Sequence, residues 1–173
     1  LGIATHYVPS ERQAGLLEAL AGADLAAEPA AIDAVLATFA EAPAEAPLAE
    51  HRERIDRLFA GDSVEEIVEN LRADGSAWAN EHLDLLAQRS PTSLKLALEQ
   101  LRRGAELEFE SCMTMEYRLS QACMAGHDFY EGIRALLVDK DHKPVWKPAR
   151  LEEVTDAMVE QGFAPLGERD LVF

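Results

Sequence analysis

The sequence predicts a mostly α chain, in which one short N-terminal strand, Ile3 to Val8, is followed by about eight helices. Three observations carry that reading. Only the opening run combines β-branched and aromatic residues over a strand's length; from Leu16 onward the apolar residues recur at helical spacing; and serine, glycine and proline punctuate the chain at the ends of those helical stretches. With 48% hydrophobic and 28% charged residues, 173 residues suffice for one globular domain or a large piece of one.

The strand is closed by Pro9, whose missing N–H would interrupt a ladder. One strand cannot form a sheet, so its neighbours are expected in a segment preceding Leu1 or in another chain. The first residue is Leu and the chain starts directly in an apolar run, a start that reads as cut. Ser10 is the expected N-cap of a first helix carrying Leu16, Leu17 and Leu20, and a second covers Ala31 to Phe39. Between Ala40 and Pro47 the composition turns to Ala, Glu and Pro, the expected flexible connector within 9–173.

After it, Glu50 to Phe59 reads as helix. Ser63 with Glu66 forms a capping-box signal for a helix through Leu71 that stops near Gly75. Ser76 opens the next, with Trp78, Leu83 and Leu86. Ser90-Pro91 opens another, with Leu94, Leu98 and Leu101. The longest helix, Leu107 to about Ala125, aligns Phe109, Cys112, Met115, Leu119 and Cys123 in one stripe and places Glu116 inside it. Asp128 and Glu131 look like a cap pair for a helix bearing Ile133, Leu136 and Leu137. The segment Lys143 to Pro148 must be extended, because each proline biases its predecessor away from helix. Leu151 to Gln161 is the last expected helix.

A formal charge of -16, from 32 acidic and 16 basic residues, repels a bare phosphate backbone, so nucleic acid is a poor partner. No stretch reaches the roughly 20 apolar residues that cross a bilayer, so no membrane partner is expected. Cys112 and Cys123 lie about 16 Å apart along one helix, too far for a disulfide, which favours a reducing compartment. The histidines lack paired ligand spacing, and no metal site is expected.

Four segments, in order, carry a family likeness: Gly2 to Val8; Ser90 to Lys95; Met115 to Met124; and Asp128 to Ala135 continuing through Asp139-Lys140-Asp141 to Trp146-Lys147-Pro148. They resemble the C-terminal half of the 3-hydroxyisobutyryl-CoA hydrolases, a branch of the crotonase (enoyl-CoA hydratase/isomerase) superfamily. The resemblance implies that residues 1–8 end a crotonase core whose N-terminal part is missing, and that 9–173 is the C-terminal helical region of that α/β fold. It implies hydrolysis of an acyl-CoA thioester in valine degradation, with coenzyme A entering as part of the substrate and no separate cofactor. The oxyanion amides and catalytic carboxylates of such enzymes would lie outside this chain, so the expected catalytic residues here are none, and the polypeptide alone is expected to be inactive. The missing N-terminal core and the acyl-CoA substrate are the expected partners, and a homo-oligomer is left open. A bacterial cytoplasm suits the Ala- and Glu-rich composition, with a mitochondrial matrix as the alternative.

Lys143, Trp146 and Lys147 form the only compact group that joins two cations to a large aromatic, suited to stacking an adenine and neutralising a phosphate. Other crotonases use a C-terminal aromatic and lysine near the CoA nucleotide, so the resemblance points to Trp146 and Lys147, and Lys143 of the same compact group completes the candidate CoA-binding residues. The competing reading is a proline-braced turn whose tryptophan covers the core. Glu116, a charge within an apolar stripe, is expected to pair with Arg134 rather than to catalyse. Cys123, His127 and Asp128 could form a thiol and base, but a core cysteine beside a helix cap accounts for them. Two rivals to the hydrolase stand: an enoyl-CoA hydratase or isomerase on the same fold, and a non-catalytic helical interaction module.

Overall fold

The computed structural model describes residues 4–23, 29–44 and 46–173, and these are mostly helical. The expected strand at Ile3 to Val8 is not seen. Residues 1–3 lie outside the described residues, and among 4–8 only Tyr7 pairs, in a single antiparallel bridge to Glu41 with the Glu41 amide donating to the Tyr7 carbonyl at 3.0 Å. The β-branched and aromatic content of Ile3, Thr5, Tyr7 and Val8 reports side-chain preference, whereas a strand exists only where a neighbour supplies the ladder. Here one residue supplies it, and the ion pair of Arg12 with Glu41 at 2.6 Å sits beside it. The fold-class expectation is therefore corrected to helical without a strand among the described residues.

The chain divides into two compact units, Leu1–Glu53 and Arg54–Phe173. In the first, a 3-10 turn at Ser10–Arg12 leads into α1, Gln13–Gly22, so Ser10 is inside the turn and does not cap the helix. Helix α2 is Pro29–Phe39. Gly15 of α1 faces the Phe39 ring so closely that a Cβ would lie 3.1 Å from it. In the span read as a connector, Glu41 makes the bridge and 42–44 are irregular. A 3-10 turn, Pro47–His51, then enters α3, Arg52–Leu58.

The second unit follows the serine punctuation closely. Ser63 caps α4, Val64–Asp74, by accepting the Glu66 amide at 3.1 Å; Gly75 stops it in the left-handed conformation at φ 63. Glu66 reaches back to the amide of Asp62, at 2.6 Å, one residue beyond a standard box. Ser76 caps α5, Ala77–Ala87, and Ser90 caps α6, Pro91–Gly104. Leu58, Ile67, Leu71 and Ala79 close one core, and Leu96, Met115, Leu119 and Phe163 close a second. Each large apolar side chain so buried stabilises the fold by about 1.5–3 kcal/mol before entropy is counted.

Three helical expectations need correction. Helix α7 is Phe109–Ala125, and Met115 and Leu119 are buried as read, but Phe109 is 72% exposed because it begins the helix, beyond the reach of the core. After α8, His127–Ile133, the chain widens into a π turn at Arg134–Val138, closed by the Asp139 amide on the Arg134 carbonyl at 2.8 Å. That change of phase sends Ala135 inward and leaves Leu136 and Leu137 exposed. Finally, Leu151 to Gln161 is not one helix. A 3-10 turn at Leu151–Glu153 ends at buried Val154, whose carbonyl accepts Lys95 Nζ at 3.0 Å, and Thr155 then caps α9, Asp156–Gly162.

Candidate functional site

Within the second unit, the N-terminus of α6, the C-terminal end of α7, α8 and the segment after α9 surround an open cleft of about 1190 Å³. The segment 143–148, here called the strap, forms part of its wall through Pro144, Trp146 and Lys147. The strap is extended, as its prolines require. Isolated extended backbone leaves donors and acceptors that need partners, and α8 supplies most of them. Asp128 Oδ1 accepts the Lys147 amide at 2.8 Å, and Glu131 Oε1 accepts the Val145 amide at 2.8 Å. His127 Nε2 lies 3.0 Å from the Val145 carbonyl, and the Arg134 guanidinium donates to the Lys143 carbonyl at 3.2 Å.

These contacts correct the cap-like reading of Asp128 and Glu131. The residue before α8 is Gly126, and neither carboxylate caps the helix. Spacing alone cannot separate a carboxylate that caps its own helix from one that holds a distant amide. Asp128 is also fixed from its other oxygen, Oδ2, by the hydroxyl of Ser90 at 2.5 Å, and Ser90 is only 5% exposed.

Arg134 is the electrostatic centre of this region. It binds Glu131, Asp139 and Asp141, each at 2.7 Å, so the expected pair with Glu116 does not form. Glu116 is exposed and accepts instead from Gln100 at 3.2 Å, because the i+1 position from buried Met115 turns away from the core. Hydrogen bonds from Arg134, then from the Val145 amide, lower Glu131 from 4.5 to about 2. Arg134 in turn lowers Asp141 and is itself pushed above its ordinary value by Glu131, Asp141 and Asp139. The network also holds the turn before the strap, where Lys140 and His142 take left-handed φ values of 55 and 56, each costing about 1–3 kcal/mol for a residue with a Cβ.

The three candidate residues are not alike in place. Trp146 is half-buried; its indole donates to the Gln88 carbonyl at 3.1 Å, and its ring packs where a Cβ on Gly132 would come within 3.4 Å. Lys147 is exposed on the cleft wall. Lys143 is exposed but does not line the cleft. The cleft adds two cations that the sequence reading passed over, Arg89 and Arg169. Among the described residues Arg89, Lys147 and Arg169 have no ion-pair partner, while Arg118, also in the wall, is held by both Nε and Nη2 on Asp170. The missed signal was three-dimensional, since 80 positions of sequence separate the two arginines.

Asp74, Glu131, Asp141, Glu160 and Asp170 are all lowered, in each case first by a hydrogen bond from a neighbouring side chain, and Glu153 is lowered too. Burial pushes the Cys123 thiol up, away from the thiolate a nucleophile needs. Cys112 and Cys123 are both free, and no metal-holding group of three or more His, Cys, Asp or Glu occurs among the described residues. The arrangement can hold an anion against an apolar floor.

An open cationic cleft, walled in part by a carboxylate-held strap, lies on the helical unit, and the chain belongs to the enoyl-CoA hydratase/isomerase family, whose model matches residues 1–163. Within that family the chain is similar to the mitochondrial 3-hydroxyisobutyryl-CoA hydrolases. It is 48% identical to that of Gallus gallus over 174 residues, 98% of this chain and 45% of the relative, and 45% identical to that of Homo sapiens over 180 residues, 99% of this chain and 46% of the relative. Among solved structures, a carnitinyl-CoA dehydratase from Mycobacterium thermoresistibile superposes with a TM-score of 0.84 at 43% identity, covering 98% of this chain and 47% of that one. An enoyl-CoA hydratase from Rhodobacter sphaeroides superposes with a TM-score of 0.83 at 36% identity, covering 99% and 48%. The chain thus spans slightly less than half the length of the relatives it matches.

Proposed function

We propose that these residues form the helical half of an acyl-CoA thioester hydrolase acting on 3-hydroxyisobutyryl-CoA. The observation that carries this reading is the cleft: in a chain of formal charge -16, Arg89, Lys147 and Arg169, without ion-pair partners among the described residues, gather on one apolar-floored cavity. A polyanion with an apolar arm, such as coenzyme A with its pantetheine, is complementary to that distribution. The names of the relatives support 3-hydroxyisobutyryl as the acyl group. In the reaction water adds across the thioester, the C–S bond breaks, and the products are 3-hydroxyisobutyrate, the CoA thiol and a proton.

On this reading the described residues bind and orient, and the groups that stabilise the developing oxyanion come from residues outside this chain. Lys147 neutralises a CoA phosphate, while Trp146 braces the strap through Gln88. Lys143, outside the cleft wall, is assigned at most to long-range attraction of the polyanion. The step serves valine degradation, and the names of the relatives support a mitochondrial location over a cytoplasmic one.

The names of the two solved structures keep a second reading alive, hydration or dehydration of an enoyl-CoA. Both are separated on the complete gene product by following thiol release from 3-hydroxyisobutyryl-CoA beside hydration of crotonyl-CoA. Thiol release supports the hydrolase, hydration without thiol release replaces it by the hydratase, and neither activity leaves a non-catalytic helical module.

A further inference from the structure

Among the described residues Asp128 is the one acidic residue on a cleft wall that carries three cations without an ion-pair partner, and on charge alone it should oppose binding of an anion there. Its contacts assign it another task. Oδ2 receives the Ser90 hydroxyl at 2.5 Å from the start of α6, 38 residues away, and Oδ1 receives the Lys147 amide at 2.8 Å, 19 residues away. Both oxygens are thereby occupied by donors of different elements. One helical turn later, Glu131 takes the strap amide two residues before, that of Val145, and is itself clamped by Arg134 through two hydrogen bonds of 2.9 and 2.7 Å.

We propose that Asp128 and Glu131 are positioning residues for the CoA polyanion: their two carboxylates pin the strap backbone at alternate amides and so hold Lys147 on the cleft wall. The proposal rests on the reading of the cleft as a CoA site, and it concerns which residues make that site competent. Strap residues 143–148 have no helix or ladder of their own, so these two acceptors are what hold the amides of Val145 and Lys147. Fixing a long, flexible cation before the ligand arrives removes an ordering cost from binding. The carboxylate charge of Asp128 is incidental to this role, whereas its acceptor oxygen toward the Lys147 amide is essential.

That distinction yields the test, made on the complete gene product by titrating CoA itself into wild type, Asp128→Ala, Asp128→Asn, Lys147→Ala and the double variant Asp128→Ala with Lys147→Ala, with folding checked by circular dichroism. Asp128→Ala is expected to weaken CoA about tenfold, as Lys147→Ala does, and the double variant to lose little more than either single one. Asp128→Asn keeps an amide oxygen for the Lys147 N–H and is expected to bind within about threefold of wild type. Pantetheine, which lacks the phosphates, is expected to bind all of these proteins alike. Glu131→Ala, which frees the strap at Val145, carries the same expectation as Asp128→Ala and serves if that protein does not fold. Additive losses in the double variant, or equal loss in Asp128→Asn and Asp128→Ala, overturn the positioning role while leaving the CoA site intact. Failure of wild type to bind CoA overturns both the role and the site.

Discussion

The hydroxyl of Ser90 donates to Asp128 at 2.5 Å while accepting the amide of Ser93 at 3.1 Å, so one buried side chain caps α6 and anchors α8 at once. Ser90→Ala removes the cap and leaves a half-buried carboxylate short of a donor. The combined loss is expected to be about 2 kcal/mol. Urea unfolding should show a lower midpoint with an unchanged slope; an unmoved midpoint would mean that neither contact matters to stability.

Glu131 makes stability depend on pH in a definite direction. Its carboxyl is lowered from 4.5 to about 2, so the folded protein prefers the ionised form more than the unfolded chain does. That contribution is fully present above about pH 4.5 and is lost as the pH falls toward about 2. In thermal melts the gap between wild type and Glu131→Gln should therefore be widest above that range and narrow through it. A gap independent of pH would refute the assignment.

The second core has no room at Gly162. A Cβ there would stand 2.6 Å from Cδ2 of Leu96, which is itself buried, and 3.5 Å from Cδ2 of Leu119. Gly162→Ala, although it favours helix in isolation, is expected to destabilise by about 1–3 kcal/mol through overpacking. A more stable Gly162→Ala protein would show that α9 can shift at little cost.

Leu71 and Leu17 test the burial pattern as a pair. Leu71 is fully buried in the first core of the second unit, and its truncation to Ala is expected to cost about 3 kcal/mol. Leu17 is 67% exposed despite lying in the apolar stripe read for α1, and Leu17→Ala should stay within about 0.5 kcal/mol of wild type. Comparable losses at the two sites would contradict the packing described.

On the CoA reading, Arg89→Ala and Arg169→Ala should each weaken CoA several-fold, and the weakening should shrink as salt is raised, because exposed charges are screened within about 10 Å at 0.1 M ionic strength. Titration at two salt concentrations checks this. Unchanged affinity at low salt would remove both arginines from the site.

What could be read from the sequence was local. Ser63, Ser76 and Ser90 each cap the helix that follows, and Gly75 ends one, because a cap is decided by residues three or four apart. The extended course of 143–148 was equally legible from its prolines, and the family from four segments in order. The same local signals misled wherever a partner from elsewhere competed. Asp128 and Glu131 have cap-like spacing, yet their oxygens are taken by amides 19 and 14 positions away. Leu136 and Leu137 continue a helical stripe, yet a π turn changes its phase. Ile3 to Val8 has strand composition, yet a ladder requires a neighbour that no single segment contains.

The sequence by itself determined the serine-capped starts of α4, α5 and α6, the glycine stop of α4, the chain's acidity and its family, since each depends on neighbours along the chain or on composition. Only the tertiary structure decided that Arg89, Lys147 and Arg169 share one cleft and that two carboxylates of α8 hold the strap beside it. Such a site is made by hydrogen bonds and charges that meet across space, and the order of residues carries no record of those distances.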